Sequence, residues 1–254
     1  GVIHPLRFGT RDANGHWRLV SVEAPGRLLL LGADDLGRDI WSRLLHGARL
    51  SLFAGLLATL VAVATGLIVG LLTGIAGPTG AAAGGFVIDV TLAMPWVYLL
   101  LAVRAALPLD LEPPLAFFAT ALLIGLLGWA RLARLICGTV AALREREFIV
   151  AARASGVSRA RLLRAHVLPH TWPVAFTQAT LLLPQFVLAE VTLSFLGLGA
   201  ADAQPSWGTL LGSLQHATTL THAWWQAIPA IALVPVFLLY YGVTRSVGGA
   251  PVSS

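Results

Sequence analysis

The chain contains 254 residues, of which 57% are hydrophobic and only 11% are charged, and its mean hydropathy is +0.79. Soluble domains carry about a quarter charged residues, so this composition indicates a membrane protein. All 17 basic residues are arginine, which excludes a P-loop and a Schiff-base lysine. The single cysteine, Cys137, excludes an internal disulfide and a cysteine-cluster metal site.

Two small elements are predicted before the first long apolar stretch. Residues 1–31 mix short alternating apolar runs with turn residues at 12–15, a pattern that favours a hairpin. Residues 32–48 carry apolar side chains at helical spacing, so we expect an amphipathic helix on the membrane surface. The side chains on its apolar face are Ile40, Trp41, Leu44 and Leu45.

Five apolar stretches follow, each close to the roughly 20 residues that a transmembrane helix needs. They cover about 50–76, 84–107, 115–137, 171–198 and 224–243. Met94–Pro95 predicts a kink in the second span. Gly66, Gly70 and Gly74 recur every four residues in the first, which favours close helix packing, although lipid-facing helices also tolerate glycine. We therefore predict an all-α, polytopic transmembrane bundle, with the transmembrane domain over 49–247.

The loops predict the orientation, because cytoplasmic loops are enriched in basic residues. Eight arginines lie between residues 131 and 164, beside only two acids. We therefore expect the loop 139–169 and the C-terminus to be cytoplasmic and residues 1–49 to be extracytoplasmic. Nothing upstream of His4 could carry an outer segment across the bilayer, so a sixth span is expected in the intact chain. A true five-span protein is the alternative. Because the arginines crowd into one loop, no nucleic-acid partner is predicted.

The loop 139–169 has too regular a pattern for a simple connector. Residues 147–154 favour a helix, Gly156 breaks it, and Ser158 can cap a second helix that ends at Leu168–Pro169. The loop is therefore predicted to be two short helices joined by a glycine elbow.

Ala151 and Ala152 offer a surface of small side chains beside Gly156, where another protein could approach closely. Several arginines surround this surface. On composition alone, a solvated basic loop that serves only topology is the simpler interpretation.

The order of residues in this loop resembles the signature loop of bacterial ABC-importer permeases. That signature reads Glu-Ala-Ala, three residues, Gly, nine residues, then Ile-x-Leu-Pro. The matching positions here are Ala151, Ala152, Gly156, His166, Leu168 and Pro169. Val150 stands where the family has glutamate. His166 replaces the isoleucine, as in the peptide-importer branch.

Two further blocks are similar to the C-type permeases of dipeptide, oligopeptide and nickel uptake systems. Residues 32–39 resemble that branch's Gly-Thr-Asp-x-x-Gly-Arg-Asp block, and residues 190–199 and 205–208 resemble a second block. Residues 1–31 lie outside the resemblance.

The resemblance implies a permease subunit that forms half of the pathway of an ATP-driven importer for peptides or similar small solutes in the bacterial inner membrane. The implied partners are a second permease, two cytoplasmic ATPases and an extracytoplasmic substrate-binding protein. ATP and Mg²⁺ would bind to the ATPases, so this chain would carry no cofactor and catalyse no reaction. Residues 147–169 would couple it to an ATPase.

Polar side chains inside the predicted spans are candidates for the pathway or for pairing between helices, because burying them in a membrane is costly. The ionisable ones are Asp89 and Glu190. Gln178 and Gln185 lie seven residues apart on one helix face, and Pro184 would open the helix beside them. The alternative function is a stand-alone secondary transporter or channel in which the two acids relay ions or protons, although no inverted repeat is apparent.

No metal site or catalytic group is predicted. The histidines considered were His46, His166, His170, His216 and His222. None forms a pair across one helix face within the membrane, and no serine–histidine or paired-aspartate arrangement lies at matching depth.

Overall fold

A computed structural model of the chain describes residues 6–11, 17–22, 29–34, 37–106, 112–199, 205–215 and 224–248. Two N-terminal strands, β1 (Leu6–Arg11) and β2 (Trp17–Val22), pair antiparallel, with Leu6 opposite Val22. The other elements are helical: α1 (Ile40–Ile75), α2 (Pro78–Ala93), α3 (Trp96–Ala106), α4 (Pro113–Leu127), α5 (Ala130–Arg144), α6 (Glu147–Ala154), α7 (Arg159–Leu162), α8 (Leu168–Phe195), α9 (Trp207–Gly212) and α10 (Ile228–Gly248). A π-helical turn (Leu163–Val167) and two 3₁₀ turns (Ser213–Gln215 and Trp224–Ala227) complete the described elements.

The described helices confirm the predicted transmembrane bundle. Four are long and apolar enough to cross a bilayer: Ile40–Ile75, Leu115–Arg144, Leu163–Phe195 and Trp225–Gly242. The pair α2 and α3 gives a fifth candidate, bent by 83° at Met94–Pro95. Pro95 lacks an N–H and pushes Met94 into an extended conformation (φ −73°, ψ 132°), so the predicted kink is a full break.

The predicted surface helix over 32–48 differs from the structure, in which α1 begins at Ile40 and runs unbroken to Ile75. Asp39 caps its start by accepting bonds from the backbone N–H groups of Trp41 and Ser42. No breaker follows, and Gly47 is buried against the backbone of Ser206 and Trp207, so packing stabilises the continuous helix. Of the predicted apolar face, Ile40 and Leu44 are buried, whereas Trp41 and Leu45 are exposed.

The regularly spaced glycines of α1 form its contact with α5. Gly66 lies against Trp129 and Leu132, Gly70 against Ala133 and Ile136, and Gly74 against Val140. A Cβ atom at Gly70 would lie 2.7 Å from the Ala133 carbonyl oxygen. The two backbones therefore approach each other closely, as predicted by the close-packing interpretation.

Trp207 fastens the short helix α9 to α1 and α8. Its side chain is 3% exposed and packs in a cluster with Leu44, Val187 and Val191. The indole N–H donates to the Leu44 carbonyl at 3.2 Å, and the Trp207 backbone N–H donates to the Ser51 hydroxyl at 3.2 Å. These contacts join parts of the chain that lie more than 150 residues apart.

The second helix of the loop does not end at Leu168–Pro169, contrary to prediction. From Arg159 the helix continues through the π-helical turn into α8 and ends at Phe195. Within the turn, the Leu168 N–H donates to the Leu163 carbonyl. A π turn widens the helix where Pro169 would otherwise clash with the preceding turn, so the proline is accommodated without a break.

Candidate functional site

The helix α6 presents one face to the bundle and one to the outside. Ile149 is fully buried, Ala152 is half-buried, and Ala151 is exposed. After this helix Gly156 adopts φ +77°, and Ser158 precedes α7, where its hydroxyl accepts from the Arg161 N–H at 3.4 Å. The first short helix and the glycine elbow are therefore present, whereas the second helix continues into α8. The outer face of α6 exposes a small side chain, Ala151.

Side-chain contacts hold the chain at the start of α6, through Arg144 just before it and Phe148 in its first turn. On one side, Arg144 donates to the carbonyls of Gly74 and Ala76, each at 3.0 Å, and so joins the end of α5 to the end of α1. On the other side, the Phe148 ring stacks on His170 at 5.6 Å and lies 6.2 Å from the His166 ring.

The second half of the signature, by contrast, lies on the helix that leads into α8. There His166 and Leu168 are half-buried, and Pro169 is exposed.

Substitution of Gly156 is expected to affect stability only through the backbone conformation. No atom lies within 4 Å of a Cβ built there, but a left-handed conformation costs other residues about 1–2 kcal/mol. Gly156→Val should therefore lower the free energy of unfolding by about that amount, measured by thermal unfolding of the purified protein. Gly156→Asn should stay close to wild type because asparagine tolerates this conformation. Equal losses in both variants would contradict the backbone explanation.

Two of the eight arginines counted for the cytoplasmic side lie inside a helix. Arg131 and Arg134 belong to α5, near the middle of the 30-residue helix Leu115–Arg144. Arg134 forms an ion pair with Asp89 of α2, and both side chains are about half exposed. Asp89 therefore links two helices, which was one of its two predicted roles.

Gln185 and Gln178 lie on the same helix in different surroundings. The exposed Gln185 lines a cavity of about 350 Å³ together with Trp96, Arg131 and Thr192. Gln178, two turns earlier, is half-buried and does not line this cavity. Of the four predicted polar candidates, only Gln185 lines a described cavity.

Pro184, beside Gln185, removes one backbone hydrogen bond from α8. Pro184 cannot donate to the carbonyl four residues earlier, which belongs to Thr180. The Tyr240 hydroxyl of α10 donates to that carbonyl at 2.9 Å. The bond that α8 loses at its proline is thus replaced by a bond to the last helix.

Tyr240→Phe is expected to destabilise the protein by about 1–3 kcal/mol, because it leaves the Thr180 carbonyl unpaired. In a Pro184→Ala background the alanine N–H can pair with that carbonyl, so the same substitution should cost clearly less. Thermal unfolding of the four proteins of this double-mutant cycle measures the difference. Additive effects would show that Pro184 and Tyr240 are independent.

Glu190 belongs to a buried polar group at the other end of α8. Its carboxylate accepts a hydrogen bond from Ser194 at 2.7 Å, and the backbone of Gly199 packs directly on Ser194. The Gly199 carbonyl in turn accepts from Arg104 of α3 at 3.3 Å. Among the described residues, the second carboxylate oxygen of Glu190 and two nitrogens of Arg104 have no hydrogen-bond partner.

Arg104 is the polar residue that the sequence interpretation missed. Its side chain is 2% exposed, and it lies within the predicted second span. The signal was available, because a charge inside an apolar stretch is a functional or pairing candidate by the rule already applied to Asp89 and Glu190.

Comparison with known proteins identifies the family. Residues 66–248 match the family model described as "binding-protein-dependent transport system inner membrane component". The chain belongs to this family. The match covers α5, the loop, α8 and the buried polar group, so the candidate residues all lie within it.

Several relatives of this inner membrane component carry names from peptide transport. A Brucella ovis protein named as a peptide permease is 32% identical over 83% of the chain and 68% of its own length. The di/tripeptide transport system permease protein DppC of Pseudomonas aeruginosa is 34% identical over 81% of the chain and 65% of its length. The dipeptide permease protein DppC of Bacillus subtilis is 34% identical over 77% and 59%.

The fold of this inner membrane component matches a solved transporter. An inward-facing structure of the MetNI methionine ABC transporter aligns with a TM-score of 0.63 and 18% identity, over 82% of this chain and 95% of that one. With the family match, this likeness of fold identifies the chain as a multi-pass permease subunit of an ABC importer. Such a permease works with ATPase subunits and a substrate-binding protein.

The described part of this inner membrane component contains no group of three or more histidine, cysteine, aspartate or glutamate residues that could hold a metal ion. His166 and His170 contact Phe148 in the loop. His216 and His222 lie outside the described residues.

Proposed function

We propose that this chain forms one half of the translocation pathway of an ATP-driven peptide importer, paired with a second, different permease. The names of the relatives support the peptide substrate: several are peptide permeases, and one is named for di- and tripeptides. The chain itself catalyses no reaction and binds no cofactor, since ATP and Mg²⁺ bind to the partner ATPases.

The geometry of α6 is the observation that carries the proposed coupling. Its exposed face offers Ala151, small enough for a close approach, while Ile149 anchors the opposite face in the bundle. In the proposal this face seats in a groove of an ATPase, and ATP-driven closure moves the attached helices as rigid bodies.

The proposed coupling implies an orientation. The loop 139–169 and the C-terminus lie in the cytoplasm, and residues 1–49 lie outside. The N-terminal strands are then on the side of the binding protein.

The alternative of a stand-alone carrier with an ion relay receives less support. Asp89 is ion-paired with Arg134 on α5, whereas Glu190 is hydrogen-bonded to Ser194 at the far end of α8. The two acids belong to separate polar groups, and no chain of described side chains joins them.

The test is purification of the full-length protein from its native membrane in mild detergent, with mass spectrometry and an ATPase assay. Wild type should retain two ATPases and a second permease. Ala151→Trp should lose the ATPases while keeping the second permease, because the large ring obstructs the docking face. Ala141→Trp, at an exposed alanine of α5, is the matched control. A chain purified alone, without ATPase activity, would refute the proposal.

Peptide transport is tested separately. The complete importer, reconstituted in vesicles with its binding protein, should take up radiolabelled tri-alanine only when ATP is present. If the vesicles take up a different solute in an ATP-dependent way but no peptide, the importer function is supported and the peptide substrate is excluded.

A further inference from the structure

Arg131 has an exposed side chain on α5, level with the middle of the first span. Its neighbours Trp129 and Leu132 contact Gly66, which lies near the middle of the charge-free residues 50–76 of the chain. A guanidinium at such depth cannot face hydrocarbon without a large cost, so it faces a polar space or a partner.

Arg131 and Arg134, both on α5, differ in one respect. Arg134 is neutralised by Asp89, whereas Arg131, less than one turn earlier, has no ion pair or hydrogen bond within the described chain. Asp89 makes its ion pair with Arg134 and none with Arg131. The positive charge of Arg131 is therefore available to a ligand.

Arg131 lines two adjoining cavities. The larger, of about 350 Å³, lies against α3 and α8, and the smaller lies beside the break between α2 and α3. Both are also lined by Trp96 and Gln185. The residues that line them include one guanidinium, one amide and an indole, amid leucine side chains, but neither aspartate nor glutamate.

This combination selects a carboxylate. Guanidinium binds carboxylates through two parallel hydrogen bonds, and the amide of Gln185 can donate a further one. An ammonium group would find no acid among these lining residues and would be repelled by the charge of Arg131, so the carboxylate end of a peptide is favoured over its amino end. The apolar lining accommodates a neighbouring hydrocarbon side chain.

We propose that Arg131 and Gln185 bind the terminal carboxylate of the transported solute as it passes the middle of the permease. This inference builds on the proposed peptide function and names the chemical group that the pathway recognises.

The experiment uses the complete importer in vesicles and two probes, tri-alanine and tri-alanine amide, each supplied on saturated binding protein. Arg131→Gln should lower tri-alanine uptake about tenfold or more, the loss expected for charge-assisted hydrogen bonds. Uptake of the amide should change little. Arg131→Lys should retain part of the tri-alanine uptake, because it keeps the charge but not the bidentate geometry. Arg134→Gln, which removes a charge on the same helix, is the control and should leave the ratio of the two probes unchanged.

Three results would overturn the inference. The first is unchanged uptake of tri-alanine by Arg131→Gln, and the second is an equal loss of uptake of both probes by this variant. The third is that Arg131→Gln loses the second permease on purification, which would make Arg131 a contact between subunits. If the proposed peptide function is wrong, the wild-type importer will transport neither probe. That result would also contradict the carboxylate site.

Discussion

Gly70→Leu is expected to prevent the correct packing of α1 against α5 and to lower the free energy of unfolding by about 3 kcal/mol or more. The first atom of the new side chain already lies 2.7 Å from the Ala133 carbonyl oxygen and from the Ile136 Cβ. Neither neighbour is the free end of a flexible side chain, so the two helices must separate. The measurement is thermal unfolding in detergent, together with the yield of monodisperse protein.

Gly138→Leu is the matched control for this prediction. Gly138 lies on α5, where a Cβ meets no atom within 4 Å. Because leucine favours helix over glycine by roughly 0.8–1 kcal/mol, this control should be neutral or slightly stabilising. The two substitutions are chemically identical, yet only Gly70→Leu is predicted to destabilise the protein. A similar loss in both would show that close helix contact is not what Gly70 provides.

Trp207→Ala is expected to destabilise the protein by about 3–5 kcal/mol, the usual cost of removing a buried aromatic ring. The ring packs between α1 and α8, and its N–H bonds to the Leu44 carbonyl. Trp207→Phe keeps most of the volume and removes only the bond, so it should cost about 1 kcal/mol plus a small packing term. Thermal unfolding separates the two contributions.

Trp172→Ala provides the comparison, because that tryptophan is 59% exposed in α8. It should change stability by less than 1 kcal/mol in detergent. If Trp172→Ala lowered the free energy of unfolding as much as Trp207→Ala, the effect would come from removing any tryptophan and not from releasing α9.

The number and approximate position of the spans could be predicted because they depend on local properties. Hydropathy over about 20 residues and charge-free length are visible in the sequence, and Met94–Pro95 indicated the break in the second span. The loop could be predicted for a similar reason, since Gly156 and Ser158 are local signals for an elbow and a cap.

The errors fall where packing decides between continuing and ending a helix. Gly47 and Pro169 are both ordinary boundary residues, yet tertiary contacts carry α1 through the first, and a π turn carries the helix past the second. The charge count also grouped Arg131 and Arg134 with the loop arginines, because an arginine in a loop and an arginine facing a cavity look the same in a sequence. Their different roles appear only when Asp89 and Gln185 are located in space.

The loop is attached to the bundle in two unlike ways. At its start, Arg144 joins the ends of α5 and α1. These two helices already pack closely through glycines, so the start of the loop is held by both. At its finish, the loop continues without interruption into a helix of 37 residues, Arg159 to Phe195, about 55 Å long at 1.5 Å per residue. If this helix moves as a rigid body, a tilt of about 5° at the loop displaces its far end, near Glu190 and α9, by about 5 Å. A small movement at the loop is then enlarged at the far end of the helix.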